Sequence, residues 1–322
     1  MKKIRWAICG LGTISKKFLK AIQLTADNVV VACASSDKTR AEKYAKKYDI
    51  ELFGTYEEIA SSGAIDAVYI CNNISDHYRC AKLFLTHKVA VLCEKAFTQN
   101  DTEAQSLIMY AKEQNTLIME AMWTKFLPST QKILELASSK QLGNIIEMQG
   151  AFCVDKRFDK KSRSFDNKRG GGSILDLGVY LVSYAHFLLG MPTKLSATGE
   201  VKNGVDLKSQ IIMEYPNQVI ATFKSSSVNF FKMFMHIKFE RGEIKIPMFM
   251  QASRFTVKQE GHKQTYKFKF KNGFQYEINH FSKLIIDNKK ESNIRSYNET
   301  LEVMKLLTDI NHKLGVTFQT KQ

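Results

Sequence analysis

The first third of the chain alternates two patterns of apolar and polar positions. Short continuous apolar runs lie at Ile4–Cys9, 29–34, 67–71, 89–93 and 116–120, rich in Val, Ile, Ala and Cys. Strands buried on both faces of a parallel sheet read this way. Between them, at 14–24, 39–48, 77–85 and 101–114, apolar residues recur every three or four positions, with a shorter stretch at 56–61. That spacing gathers them on one face of a helix. Repeated strand–helix order predicts an α/β fold, a doubly wound parallel sheet with helices on both faces.

Beyond Glu120 the rhythm changes. A helix is predicted at 129–138, a strand at 145–154, then a basic loop to Arg169 and a helix over 173–188. Period-two runs follow at 194–201, 210–214, 219–226, 233–240, 243–246, 254–259 and 266–270, and a helical pattern at 297–314 closes the chain. Strands in succession predict an α+β domain with a large, mostly antiparallel sheet. The expected organisation is a nucleotide-binding domain over 1–122 and a substrate-binding and dimerisation domain over 123–322.

The turn after the first strand carries the first chemistry. Gly10-Leu11-Gly12-Thr13-Ile14-Ser15 opens the first helix, a G-x-G-x-x-G fingerprint with Ser at its third position. Its glycines allow a tight turn and close approach of backbone to a pyrophosphate, which the helix amides then hold. Strand before, helix after and a second strand at the right distance make this a Rossmann dinucleotide site. The second strand ends Ala34-Ser35-Ser36 rather than in the acid that serves the ribose hydroxyls of NAD. Lys38 or Arg40 is in reach of a 2′-phosphate, and Asp37 reads as a helix cap. NADP is therefore favoured, with NAD as the alternative.

The net charge of +15 raises nucleic acid as a partner. Against it, the lysines are spread along the chain, and the densest basic run, Tyr266-Lys267-Phe268-Lys269-Phe270-Lys271, alternates as a strand with aromatics inward. No nucleic-acid partner is expected. Six cysteines without a Cys-x-x-Cys pair are expected to be free, with no metal. No uninterrupted apolar run reaches the roughly 18 residues of a membrane helix, and no signal peptide opens the chain. The expectation is a cytoplasmic protein with no membrane partner.

Further segments carry a signature: Glu94-Lys95 at a strand end, Asp76-His77-x-x-x-Ala81, Glu120-Ala121-Met122-Trp123-Thr124-Lys125-Phe126, and Gly170-Gly171-Gly172-Ser173-Ile174-Leu175-Asp176-Leu177-Gly178-Val179-Tyr180. Together with the glycine loop they resemble the glucose–fructose oxidoreductase and inositol dehydrogenase family (Gfo/Idh/MocA), in its dimeric dihydrodiol dehydrogenase branch, over nearly the whole chain. The resemblance implies an NAD(P)-dependent dehydrogenase acting on a sugar, polyol or vicinal diol, with Lys95, Asp176 and Tyr180 as catalytic group. It also implies cofactor contacts at Asn72, His77, Glu94 and Lys95, beside those at Gly10, Gly12, Thr13, Ile14, Ser35, Ser36, Lys38 and Arg40. Four positions depart from the family pattern. Ala96 replaces its proline after the lysine, Asn72-Asn73 its Thr-Pro, and Tyr180 the histidine of many members.

The chemistry of these residue types agrees. Oxidising an alcohol needs a base for its proton, and a phenol with a pKa of about 10 is a poor one at neutral pH. A lysine ammonium about 4 Å away interacts with a phenolate by roughly 4 kcal/mol at an effective dielectric of about 20. That suffices to lower the phenol by up to about three units. Asp176, one α-helical turn before Tyr180, either holds a substrate hydroxyl or orients the phenol. Trp123 and Phe152 are expected to line a substrate pocket, and the loop 155–168 to shape it. His77 is either a cofactor contact or a helix cap. A homodimer or dimer of dimers is expected through the Phe- and Met-rich strands from Met233 to Phe270, read as an apolar patch. The alternative function is a non-catalytic NADP-binding sensor, which would not require the Lys95, Asp176, Tyr180 set.

Overall fold

The structure, a computed structural model, describes residues 3–157, 159 and 162–318. Phe158, Lys160 and Lys161, in the loop expected to shape the pocket, lie outside the described residues.

The N-terminal segment runs β1 (Ile4–Cys9), α1 (Thr13–Ile22), β2 (Asn28–Ala34), α2 (Lys38–Tyr48), β3 (Leu52–Gly54), α3 (Tyr56–Ala60), β4 (Ala67–Ile70), α4 (Ile74–Thr86), β5 (Ala90–Glu94), α5 (Asp101–Glu113) and β6 (Ile118–Ala121). Its six strands form one all-parallel sheet in the order β3-β2-β1-β4-β5-β6. The order reverses between β1 and β4, and in such sheets the crevice at the carboxyl ends beside that reversal is where ligands bind. Gly10, Ser35, Asn72 and Lys95 all lie in segments leaving carboxyl ends of these strands.

The chain continues through α6 (Pro128–Ser138), β7 (Ile145–Cys153), α7 (Val179–Leu189), β8 (Lys194–Lys202), β9 (Val205–Glu214), β10 (Ile220–Ser226), β11 (Lys232–Phe239), β12 (Gly242–Pro247), β13 (Arg254–Gln259) and β14 (His262–Lys267). These eight strands order as β14-β13-β12-β11-β7-β10-β9-β8. Only β7 and β10 pair in parallel; the rest are antiparallel. Two helices follow, α8 (Phe274–Ile286) and α9 (Tyr297–Lys313).

The chain forms two compact units. Among the described residues, one holds Lys3–Trp123 together with Asn272–Leu301; the other holds Thr124–Lys271 and Glu302–Phe318. Residues 272–301, placed by sequence reading with the second domain, thus group with the first unit. Helix α8 packs there by an aromatic run through its interior. Phe281 lies 5.4 Å from Trp6, Trp6 5.4 Å from Phe18, and Phe18 stacks on Tyr69 at 3.9 Å. Trp6 Nε1 and Ser282 Oγ both donate to the buried Asn28 Oδ1, at 2.7 and 2.6 Å.

The second sheet corrects one expectation. The apolar residues between Met233 and Phe270 do not make an exposed patch. Met235, Ile237, Phe239, Ile244, Ile246, Phe249 and Phe255 are buried. Their strand neighbours instead carry charge: Lys238 pairs with Glu147 at 2.6 Å, and Glu243 with His236 at 2.7 Å and Lys245 at 2.9 Å. Period two sends alternate residues to opposite faces: Met235, Ile237 and Phe239 go inward, while half-buried Phe234 shares the other face with His236 and Lys238, and Met248 is exposed. The last strand also falls earlier than expected, at His262–Lys267 rather than 266–270, because its hairpin with β13 starts at the Gln259–His262 pair. Tyr266 and Phe268 stack on Phe255, and Lys267, Lys269 and Lys271 are exposed.

One helical run, Asn167–Leu189, is long and apolar enough to cross a membrane by length and composition, although no single apolar stretch had suggested one. In the fold 78% of its most apolar window is buried, as in the core helix of a packed domain. All six cysteines are free and buried.

Candidate active site

Backbone geometry builds the phosphate loop. Gly10 has φ +101°, and a Cβ there would come within 2.5 Å of the Asn72 backbone nitrogen. Only glycine fits where the turns after β1 and β4 meet. Gly12 is the N-cap of α1, without a side-chain cap, and a Cβ on it would meet nothing within 4 Å. An uncapped helix N-terminus behind an open glycine fits a dinucleotide pyrophosphate. Thr13 and Ile14 are the first two residues of that helix. Ser15, in place of the third glycine, is buried. Its hydroxyl donates to Gly12 O at 2.6 Å and accepts from Tyr44 at 2.8 Å.

After β2, Ser35 is buried and Ser36 exposed. Asp37 caps α2, its Oδ1 accepting from the Arg40 amide at 3.2 Å. The Arg40 guanidinium reaches back to the phosphate loop and donates to Leu11 O at 3.0 Å. Lys38 instead pairs with Glu58 at 2.6 Å. Of the two cations proposed for a 2′-phosphate, Arg40 is the one against the loop.

The segment after β5 is held from several sides. Buried Glu94 accepts from the Tyr69 hydroxyl through Oε1 and from the Lys95 amide through Oε2, at 3.2 Å. Lys95 is half-buried, and its peptide bond to the buried Ala96 is cis. The Ala96 carbonyl accepts from His77 Nδ1 at 3.0 Å, so the strand end lacking the family proline is tied to α4 by a side chain. His77 is inside α4, whose N-cap is Asn73. Asn72 donates through Nδ2 to Cys80 Sγ at 3.0 Å. Trp123 packs on Phe274 of the same unit at 5.2 Å.

In the second unit the helix bearing the other candidates begins irregularly. Ile174–Gly178 forms a π-helical turn and α7 continues from Val179. Asp176 and Tyr180 are therefore separated by a wider turn than the α-helical one expected, and such turns recur at functional sites. Gly172, at φ +119°, lies under Asp206, where a Cβ would fall 2.3 Å from its Oδ1. Asp206 Oδ2 accepts from Ser173 Oγ at 2.6 Å, the Ile174 amide at 3.0 Å and Ser209 Oγ at 3.2 Å. Burial nevertheless pushes its pKa up to about 6.

Asp176 is itself embraced. Lys156 Nζ donates to its Oδ2 and, at 3.1 Å, to Ser164 Oγ, while Arg163 lies 3.7 Å from its Oδ1. Tyr180 is buried beside Phe152, ring centroids 5.9 Å apart, and Phe152 also meets Phe249 at 6.0 Å. Sequence reasoning missed Lys156, Arg163 and Asp206 as partners here. The clue was the excess of basic residues in a loop credited only with pocket shape. Among the described residues no group of His, Cys, Asp or Glu could hold a metal ion.

This architecture has known relatives. Residues 4–122 match the oxidoreductase family with an NAD-binding Rossmann fold, and residues 130–245 the GFO/IDH/MocA C-terminal domain. The trans-1,2-dihydrobenzene-1,2-diol dehydrogenase of Sus scrofa is 30% identical over 332 residues, covering 98% of each chain. The Homo sapiens enzyme of the same name is 28% identical over 331 residues, again covering 98% of each. Among solved structures, the 3-ketoreductase KijD10 from Actinomadura kijaniata, in complex with NADP and TDP-benzene, superposes with a TM-score of 0.86 at 18% identity, covering 97% of this chain and 98% of that one. The aldose-aldose oxidoreductase from Caulobacter crescentus, complexed with glycerol, gives 0.88 at 18% identity over 97% of both chains.

Proposed function

The chain belongs to the Gfo/Idh/MocA family of NAD(P)-dependent oxidoreductases, and on that premise we propose that it transfers hydride between NADP(H) and a sugar, polyol or vicinal diol, with Tyr180 as acid/base. The observation that carries the reading is the arrangement at the start of α7. A buried phenol follows a carboxylate that two cations hold in place. When bound, the nicotinamide supplies or accepts the hydride. In the reducing direction Tyr180 gives its proton to the carbonyl oxygen, and in the oxidising direction it takes the proton of the hydroxyl. Lys95 is assigned to the same step, as the cation that lowers the proton affinity of the phenol. Phe152 restricts the phenol by packing. The named relatives act on a dihydrobenzenediol, a keto group and aldoses, which is why the substrate class is drawn around vicinal hydroxyls.

NADP is preferred in this reading because Ser35 leaves room for a phosphate and Arg40 lies over the loop. Assembly as a homodimer or dimer of dimers is kept, with the charged face of the second sheet in place of an apolar patch. Light scattering should then show a dimer that weakens as salt rises, and a monomer at low salt would end that part.

The main test mixes the purified protein with NADPH and a panel of ketoses, aldoses and aromatic diketones, following loss of nicotinamide absorbance. Turnover on at least one is expected. Tight NADPH binding with no turnover on any would favour the sensor instead.

A further inference from the structure

We propose that Lys156 is a positioning residue for this reaction, fixing the Asp176 carboxylate as the ionised acceptor that meets a substrate hydroxyl. The inference rests on the functional reading above and adds to it a residue outside the family motifs from which that reading was drawn.

The backbone around Lys156 is not a free loop. Past the end of β7, Val154 N donates to Ser226 O at 2.8 Å and Lys156 N to Ser227 O at 3.0 Å. Backbone pairing with the chain leaving β10 therefore continues to Lys156, with the register slipping by one residue. From that fixed point the side chain, about one-fifth exposed, reaches two acceptors on separate segments. One is Asp176 Oδ2, in the π-helical turn; the other is Ser164 Oγ, in the 3-10 turn Arg163–Phe165. The backbone of Ser164 is in turn bonded to the triglycine run, Gly172 N donating to Ser164 O at 3.0 Å. One ammonium thus ties together the strand end, the loop and the helix start.

Arg163 is not an equivalent partner. At 3.7 Å from Oδ1 it contributes charge but lies beyond hydrogen-bond distance, and its side chain is nearly half exposed. Lys156 supplies the directed bond. The charged and titratable groups around Asp176 within its unit include, among the described residues, Lys156, Arg163, Tyr180 four residues on and Asp206 at the Ile174 amide. Two cations against one partly buried carboxylate favour its ionised form. An ionised carboxylate accepts from a substrate hydroxyl and cannot compete with Tyr180 as proton donor. On this proposal Asp176 takes the first of its two open roles and holds the hydroxyl.

The test compares Lys156→Met, Lys156→Arg and Lys156→Met combined with Asp176→Asn. Losing a charge-assisted hydrogen bond should lower kcat/KM for Lys156→Met by roughly 10- to 100-fold. NADPH affinity should be unchanged and the acid-side inflection of the kcat/KM profile should move to higher pH. Lys156→Arg should restore most of the loss, and in the Asp176→Asn background Lys156→Met should add little. A second readout needs no turnover. In protein carrying isotope-labelled aspartate, the Asp176 carboxyl resonance, assigned by its loss in Asp176→Asn, should titrate about one pH unit higher in Lys156→Met. An unmoved titration, or a full multiplicative loss in the double variant, overturns the proposal. An inactive wild type whose Asp176 titration still moves would sink the functional reading and leave the Lys156–Asp176 coupling standing.

Discussion

The two units place their functional groups by different physical means. In the first, position is set by backbone: Gly10 against the Asn72 amide, an uncapped helix start at Gly12, and Lys95 at the end of a parallel strand. In the second, position is set by side chains arriving from elsewhere in the chain. Asp176 is held by Lys156 and Arg163, and the start of its helix by Asp206 from the next hairpin. Backbone devices leave a local mark in the sequence, such as a glycine at a required spacing. Side-chain devices leave almost none, because any lysine in a basic loop looks like any other.

The sharpest way to separate the two halves is Tyr180→Phe. Removing a general acid/base should cut turnover by roughly 10²–10⁴-fold. NADPH affinity should hold, because the phosphate loop belongs to the other unit. Single-turnover kinetics at saturating NADPH measure the first quantity and fluorescence titration the second. Near-normal turnover would remove the phenol from the mechanism and shift attention to Lys95 or His77.

The converse substitution is Gly10→Ala. A side chain at φ +101° that also meets backbone at 2.5 Å costs on the order of 1–3 kcal/mol, so NADPH binding should weaken roughly 10- to 100-fold. At saturating cofactor the turnover should recover far more than in Tyr180→Phe. Unchanged affinity would show that the loop does not depend on this glycine, and the contrast between the units would lose its main support.

What was legible follows the same division. Five of the six strands of the first sheet and the helices between them, the glycine loop and the triglycine helix start declare themselves through periodicity or spacing; the three-residue β3 is too short to do so. Helix α8 was not predicted, although Phe274, Ile278, Phe281 and Leu284 recur at helical intervals. Its place was not readable: Ser282 meets Asn28 across 254 residues, and no local pattern encodes that return. The edge strand β14 was misplaced because its first residues, His262-Lys263-Gln264-Thr265, are exposed and so carry no apolar alternation. Lys156 and Asp176 pair across 20 residues of irregular chain, where periodicity says nothing. The exposed face of the second sheet was misjudged because composition counts Phe and Met without saying which face each takes.

A smaller effect tests whether side chains matter in the first unit as well. Arg40 reaches the phosphate loop by a side-chain bond to Leu11 O, as His77 reaches the strand end at Ala96 O. Arg40→Ala should weaken NADPH by about tenfold, the value of one charged contact, and leave NADH nearly unaffected. Parallel titrations with both reduced cofactors measure it. An equal loss for both would mean that Arg40 only braces the loop.

The least effect on the reaction, and the most on folding, is expected from Glu277→Gln. Each unit buries an acid, and here the contrast reverses. Asp206 in the second unit has three donors on one oxygen. The oxygens of Glu277, fully buried in α8, have no hydrogen-bond partner among the described residues. Burial first, then the neighbouring Glu94 and Glu120, hold its carboxyl well above the usual carboxylate range. The folded chain therefore keeps a proton that the unfolded chain gives up above about pH 4.5. Stability from this group is fully present below that value and declines as pH rises toward the folded pKa, by at most about 1.4 kcal/mol per pH unit. Glutamine has no proton to lose, so Glu277→Gln should flatten the decline. Its Tm should match the wild type near pH 4.5 and exceed it increasingly toward pH 8, with kcat unchanged. Melting curves across that range decide the matter. Two parallel Tm profiles would mean that Glu277 is not protonated in the fold, and an unprotonated carboxylate there would need a partner that the described residues do not supply.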